Sequence, residues 1–523
     1  HNMKLRTKIT LAFSVIAILS VTIMGITSIS VAKKEMELEA FNKLTVIREL
    51  KANRIEGYFD QIRNHLLNSS ESYMIIDAMK DFQNGFYNIK NFDTLDSVID
   101  ESLKTYYSNE YLPKLNYNSF NDYTIDDIYP NDDRTKKLQY LYISNNLNVT
   151  GEKQLLVKSE DSSEYSKYHT KYHPKLKSYV DKFGYYDVFL IDNSGHIVYS
   201  VYKETDFATS LEEGPYKNSN LAEVYKQTLS SGNRDFVKMI DFNNYLPSYN
   251  SSAAFIGTSI YDNEQQIGVL VFQLPVDRIN NIMTDNGQWE KIGLGKSGET
   301  YLVGRDSLLR TQSRFLMEDK KGYLSTLDIE GYSDAAIHQI NTQNNSIGIQ
   351  KVTSKGVRSA LVGKTGAETF KDYRGIPVLS SYRPLTVKDV NWVIMSEIDK
   401  KEAFSAIDGF VRGMLIFLII LILLIPILAI YFSKGITNPI KKLSNISKQM
   451  AQGKTGIRVN LKREDEIGIL ANNFDLMSNS IERVRSQLEE ANSTLSDKVE
   501  ERTKEVEESH NKIKSIIENA NDA

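Results

Sequence analysis

Few residues of this 523-residue chain are spaced for chemistry. His169 and His173, in "YHTKYHP", have the i, i+4 spacing of a helical metal pair. No Glu follows His169, so this is not the HExxH arrangement, and Pro174 is expected to end any helix there. A structural or surface role is therefore expected of the pair, and no metal. The stretch "GKSGETYLVGRDSLLRTQSRF", Gly295 to Phe315, holds three glycines and four basic residues. A phosphate cradle needs GxxxxGK[ST] between a strand and a helix. Here "GKSGET" precedes a strand instead, so Gly295 and Gly298 read as turn residues opening a hairpin. No Ser-His-Asp, Walker or cyclase signature occurs, and cysteine is absent, which excludes disulfides, thiolate nucleophiles and thiolate metal sites. Neither a catalytic residue nor a cofactor is expected.

The elements that must position whatever binding chemistry remains begin with two apolar runs. Residues 9–32 carry no charge until Lys33 and are long enough to cross a bilayer, with Lys4, Arg6 and Lys8 before them. Residues 413–432 form the second run, with Pro426 inside and Lys434, Lys441 and Lys442 after it. The positive-inside rule puts residues 1–8 and everything after Phe432 in the cytoplasm, and the intervening residues outside. His1 and Asn2 precede a plausible start at Met3 and read as a cloning remnant. The net charge of -4 gives no case for nucleic acid.

Ile55, Phe59, Ile62 and Leu66 repeat at four, three and four, and no proline occurs from the first run to Asn68. One long helix is expected to run from the bilayer outward. Residues 69–182 read as further helices broken by Asn- and Asp-rich turns. At Tyr185 the period changes: "YYDVFLIDNSGHIVYSV" is a strand, a turn and a strand. "NLAEVYKQTLSSG" reads as a helix ending on Gly232, followed by "FVKMIDF", "AAFIGTSIYD" and "IGVLVFQL" as strands. Roughly 110 residues later "ETYLVG", "RDS" and "LLRTQS" repeat the strand-turn-strand, with "IPVLSSYRPL" and "NWVIMSEID" to follow. The expected fold class is α+β: a long N-terminal helix with a helical insertion (33–182), then two antiparallel-sheet modules (183–284 and 285–406).

Two such modules between two membrane spans resemble the tandem Cache, or double PAS-like, sensor domain of bacterial receptors. That resemblance implies a small-molecule ligand held in the membrane-distal module, 183–284. Amino-acid-binding members carry an Arg-x-Trp-Tyr element and an Asp after the final strand. Here "EEGPYKNSNLA" keeps Tyr216 without the Arg or Trp, and Gln273 stands where the Asp would be. An ordinary amino-acid ligand is therefore not expected. Tyr216, Asn220, Asp241, Tyr245, Tyr249 and Gln273 are the candidates to line the pocket. Arg310, in the second module, is expected to be silent in binding.

After the second span, "ITNPIKKLSNISKQMAQGKTGIRVNLKREDEIGILANNFDLM" resembles a HAMP linker (433–487), which implies a parallel four-helix coiled coil in a homodimer. Pro439, Glu466 and Phe474 are its candidate relay residues. Independently, Ile467, Leu470, Phe474, Met477, Ile481, Val484, Leu488 and Ala491 alternate spacings of three and four, a heptad seam, and the alternation slips beyond Ala491. Residues 488–523 read as a signalling coiled coil whose ending, "NKIKSIIENANDA", resembles the lead into a cytoplasmic PAS domain of sensor kinases. His510 does not match the kinase phosphoacceptor box, because Asn511 follows it and no Pro does. The expected protein is a two-pass receptor of a bacterial inner membrane with lipid, small-molecule and homodimer partners. Its output, absent from this chain, is a histidine kinase acting with a response regulator. A chemoreceptor, cyclase or phosphatase output, or a membrane-anchored adhesion or scaffold role, are the alternatives.

Overall fold

The computed structural model describes residues 5–89 and 97–520; His1, Asn2 and Lys4 lie outside the described residues. The chain divides into two compact units, one of residues 33–406 and one combining 1–32 with 407–523. Helix α1 (Leu5–Ser70) belongs in part to each.

In the 33–406 unit, the four-three-four repeat of α1 buries Ile55, Phe59, Ile62 and Leu66. They share one core with Met79 and Phe82 of α2 (Tyr73–Tyr87) and Leu176 of α3 (Glu164–Phe183). Short helices such as Ser97–Tyr106, Leu112–Ser119 and Asp133–Gln139 make up the insertion between α2 and α3. Contrary to the sequence expectation, α3 does not end at Pro174 but runs through it. The lost backbone hydrogen bond costs about 3 kcal/mol. Tyr172, His173, Leu176 and Val180 are buried on both sides of the proline, at roughly 1.5–3 kcal/mol for each large apolar side chain.

The distal sheet contains β1 (Asp187–Asp192), β2 (Ile197–Ser200), β3 (Val237–Tyr245), β4 (Ser251–Asp262) and β5 (Gln265–Gln273), in the antiparallel order β2-β1-β5-β4-β3. β5 reads as an unbroken apolar run because both its faces are covered. Leu270 and Phe272 join the core formed with α1 to α3. Val269 and Val271 pack with Leu221, Val224 and Tyr225 of α4 (Asn220–Leu229). α4 is capped by Ser219, whose hydroxyl accepts from Ala222 N–H, and it ends three residues before Gly232. β3 is an edge strand whose free backbone is closed by side chains. Arg63 of α1 donates to Val237 C=O at 3.0 Å, and Met239 N–H donates to the Asp389 carboxylate at 3.1 Å.

Helix α5 (Val276–Thr284) leads to the second sheet, β6 (Glu299–Val303), β7 (Gly366–Lys371), β8 (Pro377–Pro384) and β9 (Val393–Asp399), in the order β6-β9-β8-β7. The expected strand "LLRTQS" is reduced to isolated bridges, Val303↔Leu309 and Leu308↔Lys351. Arg310 N–H donates to Leu302 C=O of β6 at 2.8 Å while Leu309 N–H is taken by Gln350 C=O, so the segment pairs only briefly with β6 and otherwise with a loop.

In the other unit, the first part of α1 and helix α6 (Ser405–Ala451) are each long and apolar enough to cross a membrane. Gly25 leaves room for Met414: a Cβ there would stand 2.1 Å from its terminal methyl. α6 contains both Pro426 and Pro439 and is continuous from the apolar run to Ala451. A connector leads to α7 (Glu466–Ala520).

Candidate functional site

The segment that follows β2, "VYKETDFATS", places charge where the sheet would otherwise bury only apolar groups. Asp187, Lys203 and Asp206 are each at most 2% exposed. The Asp187 carboxylate accepts from the backbone N–H of Val188 and Val201. Glu204 accepts from the hydroxyls of Tyr186 (2.8 Å) and Ser248 (2.6 Å). Asp206 accepts from Tyr245 hydroxyl at 2.5 Å through Oδ2, while its Oδ1 has no partner. Burial pushes all three carboxyls above the usual range, because charge is costly where water is excluded. The Lys203 ammonium donates to Ser200 C=O and lies 4.2 Å from the centre of the Tyr199 ring; burial pulls its pKa down.

Beside this cluster is a cavity of about 620 Å³. Its wall includes Tyr106 and Tyr111 of the helical insertion, Tyr186, Tyr202, Glu204 and Thr205 of the distal module, and Thr342 and Gln343 of the second module. Tyr186 and Tyr202 stack with ring centres 5.1 Å apart. The mixture is aromatic and hydrogen-bonding, as ligand sites are.

The sequence-derived candidates divide among three situations. Tyr249 and Gln273 line the cavity. The Tyr249 ring lies 4.0 Å from the ammonium of exposed Lys114, and the buried Gln273 has no donor for its Oε1. Tyr216, Asn220 and Tyr245 are buried one step behind the wall. Tyr216 hydroxyl donates to Thr205 Oγ1 at 2.7 Å, Asn220 Nδ2 donates to Ala253 C=O at 2.7 Å, and Tyr245 holds Asp206. Thr205 and Ala253 are themselves wall residues.

Asp241 is brought somewhere else. It accepts a two-pronged bond from the Arg310 guanidinium, Nε and Nη2 both at 2.9 Å, and one from Trp392 Nε1 at 2.9 Å. Arg310 is only 2% exposed. The expectation that Asp241 lines the pocket while Arg310 is an unrelated residue of the second module is thus corrected: the two form one clamp between modules. The reason is a register shift in β3 between Ile240 and Asn243, which breaks the alternation that assigns side chains to faces. Sequence reasoning also missed Asp187, Glu204 and Asp206. The available signal was "KETD" directly after an apolar strand.

His169 and His173 are fully buried, their rings 4.3 Å apart and nearly parallel. His173 contacts Tyr199 hydroxyl through Nδ1 and Gln154 C=O through Nε2, both at 2.7 Å. Burial pulls its pKa down to about 3, so the ring is neutral at physiological pH. The described residues contain no group of three His, Cys, Asp or Glu placed to hold a metal.

In the α6–α7 region, Leu443, Ile446, Val459 and Ala471 form a small core with Phe474 partly buried against it. Asp475 holds the connector by accepting from the N–H of Val459 (2.5 Å) and Asn460 (3.1 Å). Glu466 is the first residue of α7, but Asp465 caps it, accepting from Gly468 N–H at 3.0 Å. Pro439 lies inside α6. Leu470, Met477, Ile481 and Val484 of the seam remain exposed, as does His510 further along α7.

Residues 431–483 match the HAMP domain family. With the two apolar helices, that match gives the chain the organisation of a two-pass membrane receptor. The methyl-accepting chemotaxis protein McpC of Bacillus subtilis (strain 168) is 28% identical over 102 residues, 20% of this chain; the match spans 16% of that relative's length. Among solved structures, the extracellular domain of the putative histidine kinase vpHK1S-Z8 is 9% identical, covering 72% of this chain and 95% of that one, with a TM-score of 0.35. The ligand-binding domain of the Pseudomonas fluorescens chemoreceptor CtaA, in complex with L-serine, is 14% identical over 43% of this chain and 76% of that one, with a TM-score of 0.26.

Proposed function

We propose that this chain is the input half of a transmembrane signalling receptor. In that reading, a small molecule binds the distal module outside the membrane and HAMP carries the change to a cytoplasmic output. The observation that carries it is the cavity walled by Glu204, Gln273 and several tyrosines, in a chain whose residues 431–483 match HAMP. The same cavity supports a sensor over an adhesion or scaffold role, which would rest on a flat face. The resemblance of the chain's end to a PAS lead-in supports a histidine-kinase output, and the McpC match supports a chemoreceptor as the second reading. Neither catalytic machinery nor a cofactor is assigned to this chain.

Transmission in this proposal needs a bistable element, since a ligand acts only through its different affinities for two states. A second copy of the chain would cover the exposed seam of Leu470, Met477, Ile481 and Val484, giving a parallel bundle. Within each copy, Asp475 ties the connector to α7 and Phe474 packs on the small core, so both would follow any rotation of the helix.

The test is a chimaera in which the full chain is joined to a kinase output. Phe474→Ala and Asp475→Ala should leave ligand binding intact and uncouple kinase activity from ligand. Normal ligand-dependent output from both variants would overturn a HAMP relay and favour an inert rod.

A further inference from the structure

The polar groups buried under and beside α4 are unbalanced in a way that specifies a ligand. Beside two unpartnered hydroxyls, Ser200 Oγ and Thr228 Oγ1, three atoms that can only accept lack a donor: Asp206 Oδ1, Asn220 Oδ1 and Gln273 Oε1. Asp206 is 0% exposed, and Asn220 and Gln273 are each 4% exposed. Buried acceptors are normally satisfied, so three orphans in one module need an explanation. All three belong to one side of the distal sheet. Gln273 follows Val269 and Val271 at the two-residue spacing of a strand face, and those two pack beneath α4. Asn220 is the first residue of α4 itself, and Asp206 is held by Tyr245 of that same apolar cluster.

Asp187 at the start of β1 and Glu204 and Asp206 in the segment after β2 supply three carboxyls. Three lysines stand on the cavity wall: buried Lys203 donates to Ser200 C=O and is attracted to Asp187 and Asp206, and buried Lys153 donates to Asn146 C=O at 2.9 Å. The third, Lys114, already shows what the aromatic wall accepts, because its ammonium sits 4.0 Å from the centre of the Tyr249 ring.

Building on the sensor reading above, we infer that the distal site takes an organic cation rich in N–H donors, a primary alkyl amine or diamine without an α-carboxylate. Its ammonium donates to Gln273 Oε1 and to Glu204, the unpartnered acceptor and the carboxyl that stand on the cavity wall, and its alkyl part lies against the tyrosines. An α-carboxylate would bring further acceptors beside Glu204 and the unpartnered Gln273 Oε1, and among the described residues that line the cavity there is no arginine to receive it.

The experiment follows thermal unfolding of the detergent-solubilised full chain with 1,4-diaminobutane, succinate and L-serine as probes. The diamine should give a saturable rise in midpoint, and the other two should not. Gln273→Leu, which keeps the bulk and removes the acceptor, should weaken the diamine about tenfold or more. Gln273→Glu should tighten it, and supplies the test if the leucine variant fails to fold. A Gln273-dependent response to succinate or serine, with none to the diamine, would overturn the amine assignment and leave the sensor reading standing. No response to any probe from a chain that unfolds cooperatively would overturn the assignment and count against the sensor reading too.

Discussion

The two sheet modules complete the partners of their buried polar groups to different degrees. In the second module Glu299 and Glu397 are directly opposite one another on β6 and β9, at 3% and 2% exposure. Every oxygen is nonetheless satisfied: Glu299 by Tyr373 hydroxyl and Arg314 N–H, Glu397 by Ser380 and Tyr301 hydroxyls. Asp372 is paired with Arg374 at 2.6 Å. In the distal module Asp206 has one oxygen satisfied of two, and Asn220 and Gln273 each leave an acceptor empty. Completed networks rigidify a fold, whereas incomplete ones cost free energy unless something fills them. The contrast separates a supporting module from a receiving one more clearly than fold does.

The largest expected effect tests the completed side. Arg374→Ala leaves Asp372 buried without its cation, and also removes a guanidinium 3.6 Å from the centre of the Phe315 ring. Losing one partner of such a pair costs about 3–5 kcal/mol, to be measured as a fall in denaturant midpoint. Asp206→Asn in the distal module should cost much less without ligand, because that carboxyl is already half-unpartnered. Equal losses would break the comparison.

Next comes pH. Burial pushes Glu397 up to about 8 and Glu299 up to about 7. Their folded pKa values lie above the unfolded ones, so the stability they contribute is fully present below about pH 4.5. It is lost as pH rises toward 7–8. Glu397→Gln should flatten that decline by about 3 kcal/mol between pH 5 and 8, read from midpoints across pH. A slope unchanged by Glu397→Gln would show that the pair is not what titrates.

The smallest effect is a matched pair of hydroxyl deletions. Tyr373→Phe removes a donor from Glu299, and Tyr245→Phe removes the hydroxyl donor to Asp206. Each should cost about 1–2 kcal/mol without ligand. Only Tyr245→Phe should also change ligand affinity, measured by calorimetry; an equal change in both would erase the distinction between the modules.

Most of the architecture was legible because it rests on periodicity. The Ile55–Leu66 repeat marks one face of α1, and "DNSG" between apolar runs marks the β1–β2 turn, where Gly195 has φ +85°. The candidate site was legible only in part. Tyr216, Tyr245 and Gln273 sit on regular elements or beside them, so their neighbourhood followed from strand order. Asp187, Glu204 and Asp206 resemble solvated surface in sequence; their burial depends on how the insertion closes over them, a long-range event that "KETD" after an apolar strand only hints at for Glu204 and Asp206. Asp241 was misread because a one-residue irregularity reverses which face a side chain takes. Pro174 misled for a similar reason: tertiary burial on both sides outweighed a local rule.

The closure of β3 carries a consequence for the chain's behaviour in concentrated solution. A bare edge strand is a template on which another molecule can lay down its own strand, the first step toward fibrillar association. Here the Arg63 guanidinium and the Asp389 carboxylate occupy the backbone groups that such a strand would need. Asp389 lies on the β8–β9 connection and is itself bound by Arg63 and Lys238, so the shield comes from α1 and from the neighbouring sheet's connection rather than from the strand it protects. The two sheets are therefore mutually dependent for colloidal stability: separating them would expose not only apolar surface but an adhesive ribbon.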